Sequence, residues 1–158
     1  MLGLVVRLLA MPVMMGAGFV FAKPEQIRSD QSPTFHYYLQ AYPKNASIVA
    51  LGPAASGEYF NIDGTIQSTN TSLYINIGSE TTSYKTVTFS KTAATTAWGL
   101  EGDTIITTKA STFGRRKPYL YSPPTLQRNY WQVYFQTGSA VPSGTCNNYQ
   151  SLHLPCLC

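Results

Sequence analysis

From Phe35 onward no stretch of this chain sustains an apolar stripe at i, i+3, i+4 and i+7; where the apolar pattern is regular, its period is two. Phe35, Tyr37, Leu39 and Ala41 alternate with His36, Tyr38, Gln40 and Tyr42. Leu73, Ile75 and Ile77 alternate with Tyr74 and Asn76, and Val87 and Phe89 with Thr86, Thr88 and Ser90. Trp131, Val133 and Phe135 alternate with Tyr130, Gln132 and Tyr134. Successive side chains of a strand point to opposite faces, so this period predicts strands with one buried face. The expectation is an all-β fold, an antiparallel sandwich or a closed barrel. Turn chemistry agrees, with Asp63-Gly64 and Gly102 each centred between strand-like runs. The two surrounding stretches resemble one another: an aromatic, a glycine turn, Thr-Ile, then Leu-Tyr. That similarity keeps a β-trefoil-like barrel open as an alternative.

Composition narrows the class further. Aromatic residues make up 13% of the 158-residue chain and charged residues 11%, with only seven Asp and Glu. A disordered chain is poorer in aromatics and richer in net charge, and a helical bundle needs far more Glu and Lys. Between Thr65 and Thr112, twenty of 48 residues are Ser or Thr. Threonine is β-branched and wettable, which suits the outer face of a sheet.

The N-terminus carries Arg7, then an uncharged apolar run from Leu8 to Ala22 ending in small and β-branched residues. This is the layout of a secretory signal, and the run of 15 residues falls short of the ~20 needed to span a bilayer. The expected organisation is a signal peptide over 1–22, a flexible leader over 23–34 and one β domain over 35–158. Loss of Arg7 with the signal lowers the formal net charge from +4 to +3. In a secreted chain Asn45-Ala46-Ser47 and Asn70-Thr71-Ser72 are glycosylation sequons, making Asn45 and Asn70 the candidate acceptors. Cys146, Cys156 and Cys158 are the only cysteines; one disulfide from Cys146 to Cys156 or Cys158 is expected, with one thiol left over. His153 with Cys156 and Cys158 is a sparse ligand set for structural zinc, so neither metal nor cofactor is expected.

Residues for catalysis are few. There is no Gly-x-Ser-x-Gly elbow, and only His36 and His153 could serve as a base. The carboxylate pairs available for glycoside hydrolysis are Glu58 with Asp63 and Glu101 with Asp103, all beside turns. Lys109, Arg115, Arg116 and Lys117, with Arg128 nearby, form a basic cluster that reads as a solvated loop, a contact for an acidic polysaccharide or membrane headgroups, or a dibasic cleavage site at Arg115-Arg116. Secretion and the small net charge disfavour nucleic acid as a partner. If Leu39 and Val133 face the core, then Tyr38, Tyr42, Tyr130 and Tyr134 face outward. Such rings stack on sugars or simply pack on the sheet.

With its signal peptide, Thr/Ser-rich β pattern, Trp131-Gln-Val-Tyr-Phe135 strand and late Cys146, the chain resembles small secreted fungal cell-wall proteins of the phialide type. That resemblance implies a cell-wall or extracellular structural role. The Cys156/Cys158 tail departs from the group's pattern. Three functions follow: a secreted, non-enzymatic, wall-associated glycoprotein; alternatively a carbohydrate-binding module using surface Tyr and Trp; and thirdly a secreted glycoside hydrolase using Glu101 and Asp103.

Overall fold

A computed structural model describes residues 23–116, 118–120, 126, 129–142 and 150–155. The described chain is all-β, as the period of two requires, and its one helical element is a 3-10 turn at Ala54–Ser56. The strands are β1 (Glu25–Gln26), β2 (Arg28–Ser29), β3 (Tyr38–Tyr42), β4 (Asn45–Gly52), β5 (Tyr59–Asp63), β6 (Thr65–Ser68) and β7 (Tyr74–Ile77). They continue with β8 (Tyr84–Ser90), β9 (Trp98–Glu101), β10 (Thr104–Thr107), β11 (Tyr119–Leu120), β12 (Trp131–Gln136) and β13 (Leu152–His153). All pairings are antiparallel and join one sheet. Among the described residues no helix is long and apolar enough to cross a membrane.

The segment expected to be a loose leader is what curls the sheet. Gln26 and Glu25 pair with Tyr59 and Phe60 of β5, while Arg28 pairs with Tyr38 of β3. One extended run, split only at Ile27, therefore belongs to both β5 and β3. Following β5, β6, β7, β8, β4 and β3 brings the pairings back to the same run, so they form a closed circuit. Ile27 is fully buried, and its carbonyl accepts a hydrogen bond from the Leu39 amide at 2.7 Å. Two strands of two residues each are too short to show a period, which is why the sequence pattern conceals them.

Beyond β2 the sheet runs on through β13 and β10 to β9. There the Trp98 amide donates to the Gly64 carbonyl at 2.8 Å, tying β9 to the β5–β6 turn. Both expected hairpins form, with Gly64 at φ +64° and Gly102 at φ +60° in the region glycine favours. The resemblance between the two stretches ends after the hairpins: β7 pairs with β6, whereas β11 pairs with β12.

The inward faces meet as expected for Leu39, Ile75, Val87, Phe89, Val133 and Phe135, joined by Ile27, Val49, Leu51, Phe60, Trp98, Ile105 and Leu152. Trp98 packs edge-on to Phe135, and its indole N–H donates to the Ile75 carbonyl at 3.1 Å. The space left among these side chains is about 10 Å³ and is lined by apolar residues, so it offers a water no hydrogen-bonding side chain. Phe35 does not join them. It is 57% exposed, stacked on His36 in the loop before β3, so the inward alternation begins at Tyr37, which packs half-buried against the core, as does Ala41.

Candidate functional site

Because side chains fill the interior, a ligand must meet the outside of the sheet or its loops. On β3 Leu39 points inward, which turns Tyr38 and Gln40 to the other face. Tyr38 lies opposite Gly52 on one side and opposite Arg28 on the other. Arg28 lies opposite His153, and His153 opposite Thr104. Gly52, Tyr38, Arg28, His153 and Thr104 thus make one row across five strands, aromatic at one end and charged at the other.

Two glycines set the shape of the aromatic end. A Cβ at Gly52 would lie 2.5 Å from Tyr130 Cε1 and 2.8 Å from Gln40 Nε2; one at Gly57 would lie 2.7 Å from Tyr38 Cβ. Tyr130 therefore rests over Gly52, and Tyr38 closes on Gly57. Glycine in a sheet marks such close approach. Gln40 is 1% exposed, and its amide donates to the carbonyls of Tyr38 and Pro53. Both Tyr38 and Tyr130 stay half-buried. Tyr59, 48% exposed, lies opposite Gln26 next to them.

The other two tyrosines are placed differently. Tyr42 is buried, edge-on to Tyr130 with ring centres 5.5 Å apart. Tyr134 lies opposite Thr86 of β8 and packs edge-on to Tyr84. Of the four sequence candidates, then, Tyr38, Tyr42 and Tyr130 converge, with Tyr38 and Tyr130 half-buried and Tyr42 buried, while Tyr134, also half-buried, lies apart from them on β12 beside Tyr84.

The charged end is a small hydrogen-bonded cluster. Arg28 Nε meets Asp30 Oδ1 at 2.8 Å. A hydrogen bond that Arg28 donates to the Tyr38 hydroxyl oxygen, opposed by desolvation and reinforced by Asp30, raises the guanidinium pKa above its ordinary value. His153 Nδ1 lies 3.3 Å from Asp103 Oδ1 and 3.3 Å from Thr104 Oγ1, and its Nε2 is 2.7 Å from Ser151 Oγ. The hydrogen bond to His153 outweighs desolvation and holds the Asp103 carboxyl below its ordinary value. Ligand atoms of Asp30, Asp103 and His153 lie within 4.8 Å of one another, but Arg28 already supplies the positive charge on Asp30.

A second concave feature lies among loops. Residues 77–79, 94–97 and 110–113 enclose a cleft of about 250 Å³ lined by Ser79, Thr95, Thr96, Ser111, Thr112 and Phe113, with alanines between them.

The remaining sequence candidates are scattered. Asn45 and Asn70 are both exposed, and Asn45 Oδ1 accepts hydrogen bonds from the Ser47 amide and hydroxyl. Glu58 is buried; its carboxylate binds the Ala41 amide and the Ser68 hydroxyl, tying β3 and β6 to the start of β5. Glu101 pairs with Arg115, and Asp103 with His153, so each acid of that pair is engaged separately. Arg116 exchanges both backbone hydrogen bonds with Thr107, which withholds the Arg115-Arg116 backbone from a protease's extended binding mode. Cys146, Cys156, Cys158, Lys117 and Arg128 lie outside the described residues.

Sequence reasoning missed Arg28 and Asp30, which sat in the supposed leader, and Ser151, which no motif flags. Gly52 and Gly57 bracket the turn-like Pro53-Ala-Ala-Ser56 in the sequence, but nothing local shows which rings they admit. Comparison with family models, with curated proteins and with solved structures finds no match for this chain.

Proposed function

We propose that the protein is a secreted, wall-associated, non-enzymatic glycoprotein that binds carbohydrate through the outer face of β2, β3 and β4. One observation carries this reading: Tyr38 and Tyr130 are seated over glycine positions on one sheet face, with Arg28 next in the row. A ring laid close to the sheet offers a flat apolar surface to a sugar face, and its hydroxyl edge adds a hydrogen bond. Arg28, Gln26 and Asp30 supply donors and acceptors beside it. The exposed Asn45 and Asn70 suit the glycoprotein part of the reading. A glycan array with the secreted protein tests it. Saturable binding, competed by free sugar and weakened at least tenfold in Tyr38→Ala or Tyr130→Ala, is expected, while Tyr134→Ala binds as wild type. Binding that survives loss of both Tyr38 and Tyr130 contradicts the assignment.

A second reading, hydrolysis, rests on the Ser151–His153–Asp103 chain of contacts, which links a hydroxyl to an imidazole and that imidazole to a carboxylate. In that reading Ser151 Oγ attacks the acyl carbon of an ester or amide as its proton passes to His153 Nε2, which gives it to the departing alcohol or amine; water then hydrolyses the acyl-serine, releasing the acid and restoring the hydroxyl. A fluorophosphonate that labels wild type and spares Ser151→Ala supports it; an unlabelled wild type counts against it.

A further inference from the structure

The loop cleft described above is far better organised than loops of its composition require. Asn76, almost fully buried at the end of β7, spends its whole side chain on one wall. Its Oδ1 accepts from the Ala94 and Thr95 amides at 2.7 and 2.8 Å, and its Nδ2 donates to the Thr92 carbonyl and the Ser90 hydroxyl, both at 2.8 Å. Thr95 Oγ1 in turn accepts from the Ile77 amide at 2.9 Å, joining that wall to the next. Thr107, fully buried, does the same for the facing loop by donating to the Gly114 carbonyl at 2.7 Å and accepting from the Arg116 amide. Phe113 is fixed from behind by Phe135, with ring centres 5.3 Å apart. Buried polar side chains are costly unless satisfied, and these are satisfied by loop backbone. The walls are therefore preformed, which is what a binding cleft needs.

The lining defines the ligand. It presents five hydroxyl-bearing residues, one aromatic ring and several methyl groups, and no charged residue lines it. Behind Gly78, a lining residue, sits the Glu80 carboxylate. Burial pushes its pKa up, but hydrogen bonds from Thr86 and the charge of Lys85 outweigh this and hold it low. Its Oε1 is taken by the Thr86 amide and hydroxyl, whereas Oε2 is buried with no hydrogen-bond partner. Oε2 lies where a Cβ at Gly78 would stand. The Glu80 carboxylate thus stands behind the wall and does not line the cleft, which leaves the ligand-facing surface uncharged. Phe113 provides the apolar wall that the C–H face of a sugar ring packs against.

We infer that this cleft is a second binding site, distinct from the tyrosine face, that accepts one terminal residue of a neutral saccharide. It does not rest on the tyrosine face being a binding surface, and the test separates the two. The full secreted protein is labelled with ¹⁵N and titrated with glucose, mannose, galactose and N-acetylglucosamine, then with glucuronate and glucosamine as charged controls. At least one neutral sugar is expected to give saturating shifts at the amides of Ser79, Thr95, Thr96, Ser111, Thr112 and Phe113. Thr112→Val, which removes a hydroxyl and keeps the volume, is expected to weaken that sugar roughly two- to tenfold. Ala110→Trp, an exposed position on the rim, is expected to abolish the shifts, and Tyr38→Ala to leave them unchanged. Absence of saturating shifts with all four neutral sugars overturns the inference, as does tighter binding of either charged control. Shifts that disappear in Tyr38→Ala also overturn it, by assigning the binding to the other face.

Discussion

Replacing Ile27 by Ala tests the closure of the sheet at the point where β1 and β2 meet. Ile27 is 0% exposed and packs among Leu39, Val49, Ile105 and Leu152 around the residual gap of about 10 Å³. The substitution removes three carbon atoms, about 2.4 kcal/mol at ~0.8 kcal/mol per buried methylene. The hole left behind adds a cavity contribution, because flanking strands paired on both edges cannot collapse into it. The sum falls inside the ~2–5 kcal/mol range for Ile→Ala in a core, and about 3 kcal/mol is expected here. Urea unfolding followed by tryptophan fluorescence reads this directly. With a slope of ~2 kcal/mol per molar for a domain of this size, the midpoint should fall by about 1.5 M. Ile27→Val should move it in the same direction by about a third as much, since it costs ~0.5–1.5 kcal/mol. An Ile27→Ala midpoint within about 0.3 M of wild type, corresponding to a change of roughly 0.5 kcal/mol, means that residues 25–29 are the loose leader that their composition suggests. The circuit of strands would then be wrong.

Gly52→Ala should force Tyr130 off the sheet, costing about 1–3 kcal/mol by overpacking; thermal unfolding reads the loss, and a melting temperature equal to wild type denies the close approach of the ring. Asn76→Ala leaves the Ala94 and Thr95 amides without their acceptor and should cost about 1–3 kcal/mol, with faster hydrogen exchange confined to residues 92–97; unchanged exchange there shows that Asn76 does not hold that wall. Asp103 has a folded pKa below its unfolded one, so the stability it contributes is present above the ordinary carboxylate range and is lost as pH falls through the lower folded value. His153→Ala should therefore raise the Asp103 midpoint, read by carboxyl carbon NMR, back toward its ordinary 3.8; an unmoved midpoint removes His153 as the cause.

How far the sequence alone reaches depends on how local each signal is. The faces of β7, β8 and β12 follow from alternation, because Ile75, Val87, Phe89, Val133 and Phe135 each sit in a run long enough to show a period. Residues 25–29 carry the same alternation, Ile27 and Ser29 inward and Arg28 outward, but over too few residues to be distinguished from chance. The outward placement of Tyr38 and Tyr130 was legible. That Tyr42, on the same side of β3, is buried beneath Tyr130 was not, since it depends on a neighbouring strand from far along the chain. Likewise Ser151, His153 and Asp103 meet only because β13 pairs with β10. The cleft is least legible of all: its walls are three loops, fixed by Asn76 and Thr107, residues that in sequence look like ordinary strand polars.

The assignment of carbohydrate binding to the tyrosine face is tested most directly by observing the rings themselves. Aromatic ¹³C–¹H spectra of the secreted protein, recorded as an oligosaccharide chosen from the glycan array is added, resolve individual tyrosines. The account predicts that Tyr38 and Tyr130 resonances move together and saturate, that the Arg28 side-chain resonance follows them, and that Tyr134 stays in place. Saturating shifts at Tyr134 with Tyr38 and Tyr130 unmoved would contradict it.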